Sequence, residues 1–134
     1  MPSRLIAARE LASLLAVFAH PDRVRIVEEL RQGESDVSTL GLHLCLSQPS
    51  VSQHLAKLRA HRIVSMRRAH HHVYYTLALP ALAGWLSEGL DFVGVRLAGV
   101  ESVNTAVDEA RTLWGSARTT RSSSRRSQPR KRAK

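Results

Sequence analysis

Apolar residues recur at helical spacing along most of the chain and at strand spacing over one short stretch. Residues 4–19 place Leu5, Leu11, Leu14, Leu15 and Phe18 on one helical face. His20-Pro21-Asp22 ends that helix, because the residue before a proline is pushed out of the helical region. A second helix is expected at 22–31, with Val24, Ile26, Val27 and Leu30 inward and Gly33 as its stop. A third is expected from Ser38, its N-cap, to Leu44. After Cys45-Leu46, Ser47 caps a fourth helix that reaches Arg59. Pro49 falls in its first turn, where a missing N–H does no harm. Helix, tight turn and capped second helix make a helix-turn-helix.

Residues 63–68 and 73–77 are rich in β-branched and aromatic side chains and read as two strands. Ala69–His72 forms the tip between them. A two-stranded hairpin alone is marginal, so it must lean on the helices as a wing. From Pro80 a long last helix is expected. Leu86, Val93, Val100, Val107 and Trp114 recur every seven residues, Leu90 and Leu97 sit four after the first two, and Val103 and Ala110 continue the stripe. A stripe that long implies a partner helix from a second copy. The alternative is an amphipathic helix folded back on its own core, and Gly99, Asn104 and Thr105 leave open whether the segment is one helix or two. The fold expected is therefore mainly α: about five helices plus a two-stranded β-wing, a winged helix-turn-helix spanning 1–114.

Charge sharpens this picture by where it sits. The chain has 134 residues and a formal charge of +9. Arg118, Arg121, Arg125, Arg126, Arg130, Lys131, Arg132 and Lys134 all lie in 115–134, which holds no acid. That Ser/Arg-rich segment cannot bury enough surface to fold and is expected to be a disordered basic tail. The rest is nearly neutral. Between Asp36 and Glu88 there is no acidic residue, while Lys57, Arg59, Arg62, Arg67 and Arg68 lie inside the gap. Such a stretch can face phosphate without repulsion. No signal peptide or membrane span is evident, so the expected location is the cytoplasm. The one cysteine, Cys45, can form neither an internal disulfide nor a four-thiolate zinc site, and it reads as buried and inert. No glycine-rich phosphate loop, metalloprotease motif or nucleophile motif points to an enzyme, and no cofactor is called for.

Three segments carry a family resemblance. Phe18-Ala19-His20-Pro21-Asp22-Arg23-Val24-Arg25-Ile26-Val27-Glu28-Glu29-Leu30 resembles the second-helix signature of ArsR/SmtB-type (arsenic-repressor) regulators. Leu46 to Leu58 resembles their recognition helix, and the wing at 67–77 fits as well. The resemblance covers residues 10–90 and implies a homodimeric repressor that binds double-stranded DNA. In the family the first and last helices make the interface, which here assigns it Leu11, Leu15, Leu86, Leu90, Val93, Leu97 and Val100. Cys45 and Arg62 stand where the family usually has glycine. Both places tend to need a left-handed backbone, so the turns here must be built differently or carry strain.

On a helical wheel Val51, Leu55 and Leu58 share the inner face of residues 47–59, while Pro49, Ser52, Gln53 and Ala56 face outward. Gln48 and Gln53 are the expected readers of base edges, because an amide pairs bidentately with adenine. Ser47, Ser50 and Ser52 are assigned to phosphates or single base edges. Lys57, Arg59, Arg67 and Arg68 supply the salt-dependent contribution. His54 is divided between packing and DNA contact, and His71 is placed with the wing tip near the DNA. The family's usual metal ligands, thiols at 36–38 and histidines on the last helix, are absent. His70, His71 and His72 remain as weak metal candidates, since alternate residues of a strand point to opposite faces. The inducer is not given by the sequence. The rival readings are a protein that coats DNA through its tail and a metal- or ligand-binding protein using His70–His72.

Overall fold

The computed structural model describes the backbone of residues 2–123 and the side chains of residues 2–114. Residues 115–123, expected as the start of a disordered tail, are instead helical, while the rest of that tail, from residue 124 onward, lies outside the described residues. Six helices and two strands follow in the order α1 (Pro2–Val17), α2 (Pro21–Leu30), α3 (Val37–Leu44), α4 (Gln48–Ala60), β1 (Val64–Ala69), β2 (His72–Leu77), α5 (Ala81–Arg96) and α6 (Glu101–Ser123). The chain divides into two units after Leu86, with α5 beginning in the first and continuing into the second.

The first unit is built on one apolar cluster. Ile26, Val27 and Leu30 of α2, Leu40 and Leu44 of α3, and Val51, Leu55 and Leu58 of α4 meet Val17, Ile63 and Val64 there. Local chemistry sets each helix end. His20 caps α2, its Nδ1 accepting the Asp22 N–H at 3.2 Å, and Pro21 opens the helix. Asp36, not Ser38, caps α3: its carboxylate accepts the Thr39 N–H at 2.7 Å. A carboxylate accepts a charge-assisted bond and favours the positive helix N-terminus, so it wins over the hydroxyl two residues on. Ser47 caps α4 as expected, accepting the Ser50 N–H at 3.3 Å.

The turn between α3 and α4 is tight. Cys45 stands in the left-handed region at φ 55°, and the Leu46 N–H donates to the Gly41 carbonyl at 2.9 Å. A Cβ on Gly41 would lie 2.8 Å from the Leu46 carbonyl oxygen, so only glycine fits there without a shift of backbone. Arg62, after α4, is also left-handed at φ 60°. Both departures from glycine therefore keep the backbone that glycine would adopt. Cys45 itself is exposed, which overturns its expected burial. As the left-handed cap it follows buried Leu44 and turns outward where the helix ends.

The wing is antiparallel, with Val64 opposite Leu77 and Ala69 opposite His72. Its tip is thus shorter than expected, just His70 and His71, with His70 left-handed at φ 55°. Ser35 pairs with Tyr75 through two backbone bonds of 2.8 and 3.1 Å, which moors the hairpin to the segment before α3.

The expected long last helix is two helices. Gly99, at φ +93°, breaks it between Arg96 and Glu101, while Asn104 and Thr105 lie inside α6. Thr105 tolerates the helix because its hydroxyl donates to the Glu101 carbonyl at 3.1 Å. The seven-residue stripe therefore does not form one ribbon. In the second unit Arg111 of α6 pairs with Asp91 of α5 at 2.8 Å, and Val107 and Trp114 are already buried. The stripe's distal half is covered within the chain, which is the folded-back alternative. No helix among the described residues is long and apolar enough to cross a membrane.

Candidate nucleic-acid interface

The placement of α4 follows from its sequence period. Val51, Leu55 and Leu58 are fully buried, and each contributes about 1.5–3 kcal/mol of hydrophobic stabilisation. That anchoring turns Pro49, Ser52, Gln53, Ala56 and Lys57 outward, all of them exposed. A helix showing short and polar groups, with its first turn capped by Ser47, has the shape to lie close to a duplex groove. Gln48 is also exposed, but its Nε2 donates to Ser38 Oγ at 3.2 Å across the helix-turn-helix. Gln53 has no such tether among the described residues, so it is the freer of the two amides.

His54 is half-buried. Its ring lies 4.4 Å, centroid to centroid, from that of His20 at the start of α2. Burial holds its pKa below the ordinary 6.5, and the charges of His20 and Arg23 push the same way against Asp22. The structure turns it toward the core edge rather than the outward face. Ser50 is likewise half-buried behind the first turn, while Ser47 and Ser52 are exposed.

The cations divide in a way the sequence does not reveal. Arg67 on β1 is held by Glu34, Nε to Oε2 at 2.8 Å, and its guanidinium sits 4.8 Å from the Tyr74 ring centroid. The Arg67 hydrogen bonds keep the Glu34 carboxyl below its usual range and raise Arg67 in turn. Arg67 thus secures the wing as well as bearing charge. Lys57, Arg59 and Arg68 have no carboxylate partner among the described residues. His71 is exposed at the tip. Glu34 and Ser35 are the supporting residues that sequence reading misses. Glu34 lies 33 positions from Arg67, and only the strand register brings them together.

A second grouping is new. One ligand atom from each of His20, Asp22 and His54 lies within 4.8 Å of the others, the only such group of three or more among the described residues. His70, His71 and His72 form no group of this kind there. The His-x-Asp pair at 20–22 is visible in sequence, but its third member arrives only with the fold.

Among the interface candidates, Leu11 and Leu15 on α1 are 51% and 49% exposed, and Val100 is 45% exposed. Leu86, Leu90, Val93 and Leu97 are half-buried. All seven keep apolar surface on the single chain.

Comparison with known proteins agrees with this architecture. A family model described as bacterial regulatory protein, arsR family, matches residues 20–66. The nodulation protein NolR of Rhizobium meliloti is 36% identical over 69% of this chain and 76% of its own length. A biofilm growth-associated repressor of Agrobacterium fabrum is 40% identical over 58% of this chain and 67% of its own. The crystal structure of NolR from Sinorhizobium fredii superposes with a TM-score of 0.60 at 36% identity, over 66% of this chain and 91% of that one.

Proposed function

Because the chain belongs to the arsR family of bacterial regulatory proteins and is a DNA-binding transcriptional regulator rather than an enzyme, we propose that it represses transcription as a homodimer, reading the major groove with α4. One observation carries the reading. α4 buries Val51, Leu55 and Leu58 in its own core and leaves Pro49, Ser52, Gln53, Ala56 and Lys57 exposed, in a stretch without acids from 37 to 87. Gln53 reads a base edge, with Gln48 beside it, positioned through Ser38. Ser47, Ser50, Ser52, Lys57, Arg59 and Arg68 hold phosphates, and Arg67 and His71 bring the wing to the backbone. The basic tail adds sequence-independent affinity.

The homodimer is supported by α1. It is 16 residues long, and only Val17 is buried. Such a helix is marginal by itself in water, and Leu5, Ile6, Leu11 and Leu15 are each about half exposed. A second copy of α1, with Leu86, Leu90, Val93, Leu97 and Val100, would cover this surface. The protein then works in the cytoplasm, where its operator is.

Footprinting on DNA upstream of its own gene tests the reading. Two protected half-sites about one helical turn apart, some 10–10.5 bp, are expected. Uniform protection with no preferred site would instead mean that the tail coats DNA without an operator.

A further inference from the structure

We propose that His20, Asp22 and His54 form a binding site for a divalent transition-metal ion that joins the start of α2 to α4. The geometry comes first. His20 and Asp22 are fixed by the cap and first turn of α2, and His54 is delivered from the inner edge of α4. Their donor atoms lie within 4.8 Å of one another, and all three residues are half-buried. An ion with bonds of about 2.0–2.2 Å holds its donors roughly 3–3.5 Å apart. Side-chain rotation of about an ångström closes the set.

Ring packing accounts for only part of the arrangement. The contact between the two imidazoles, 4.4 Å between centroids, explains the histidines but not the carboxylate beside them. Arg25 occupies Asp22 Oδ1 at 3.0 Å, which leaves Oδ2 for an ion. Two imidazoles and a carboxylate suit zinc, nickel or cobalt and leave an open coordination position. Arg23 bears on His54, and Arg25 on Asp22, so positive charge already stands at the site. A magnesium or calcium ion, held mainly by charge on oxygen ligands, is disfavoured there.

Coordination has a local consequence. His20 Nδ1 accepts the Asp22 N–H, so its proton is on Nε2. An ion on Nδ1 takes the lone pair that caps the helix. An ion on Nε2 drives the proton to Nδ1. In either case the N-cap bond of α2 is exchanged for a tether to α4, one residue from Gln53. Any effect on DNA binding rests on the proposed role of α4, whereas binding of the ion does not.

The test uses the full chain carrying His70→Ala, His71→Ala and His72→Ala, so that the wing-tip histidines are removed. Zinc is titrated calorimetrically without DNA, and cobalt is followed by its d–d absorption. One ion per chain is expected. His54→Ala, Asp22→Asn and His20→Asn should each weaken binding at least tenfold, with helicity by circular dichroism unchanged. His20→Asn keeps a capping side chain while removing the imidazole. The proposal fails if the chain without the triplet binds no zinc, which would make any ion on the natural chain a wing-tip or adventitious ion only. It fails equally if His54→Ala and His20→Asn bind zinc as tightly as their parent. If the triplet variant binds zinc at this site but the natural chain, with His71 in place, protects no operator, the DNA reading is overturned and the metal site stands.

Discussion

Helices α4 and α1 are of similar length and differ in what covers them. α4 presents Val51, Leu55 and Leu58 to the core at 0% exposure and a polar face without acids to solvent. α1 buries Val17 alone and leaves leucines half exposed along its length. The first is completed by its own chain and is free to present a surface. The second meets its own core through Val17 and Leu14 and keeps most of its other apolar side chains open to solvent, the surface assigned above to a second copy. In the proposed complex the reading surface and the assembly surface are therefore separate, one backed by a filled core and the other apolar and exposed.

Leucine-to-alanine changes on the two helices should have different consequences. Leu55→Ala should cost about 2–5 kcal/mol of stability by denaturant unfolding, independent of protein concentration. Leu11→Ala with Leu15→Ala should cost the isolated chain little, because alanine keeps the helix. It should weaken dimerisation in sedimentation at least tenfold, about 1.4 kcal/mol. It should also make the melting temperature more dependent on concentration. Equal, concentration-independent losses from both changes would mean that α1 packs within its own chain.

A smaller effect sharpens the picture at the helix-turn-helix. Asp36→Ala should cost roughly 0.5–2 kcal/mol, typical of a lost N-cap. The Thr39 N–H holds the Asp36 carboxyl below its ordinary value of 3.8. A lowered folded-state value gives stability that is complete above that ordinary value and is lost as pH falls through the folded one. The gap between wild type and variant should therefore close on acidification below about pH 4. A gap that stays constant under acid would assign the loss to something other than the cap.

Much of the reading head is legible in the sequence because its signals are local. The Val51, Leu55, Leu58 spacing, the Ser47 cap and the alternation in Val73–Leu77 each depend on a few neighbouring residues. At Cys45 and Arg62 two outcomes stay open in the sequence, a differently built turn or a strained left-handed one, and the structure shows the left-handed one. What was misread depends on competition or on distance. Ser38 and Asp36 competed for one helix end, and the charged group won. The seven-residue stripe leaves open whether the last segment is one helix or two, and of the three candidate breakpoints Gly99 is the one that breaks it. Arg67 meets Glu34, and His54 meets His20, only once strands and helices have docked.

In the proposed complex α4 reads bases through Gln53. Fluorescence anisotropy of wild type and Gln53→Ala on the footprinted operator, and on versions substituted one base pair at a time, tests it directly. The variant should lose about 1–3 kcal/mol per half-site and become indifferent to base identity at one position in each half. Unchanged affinity, with discrimination intact at every position, would contradict it.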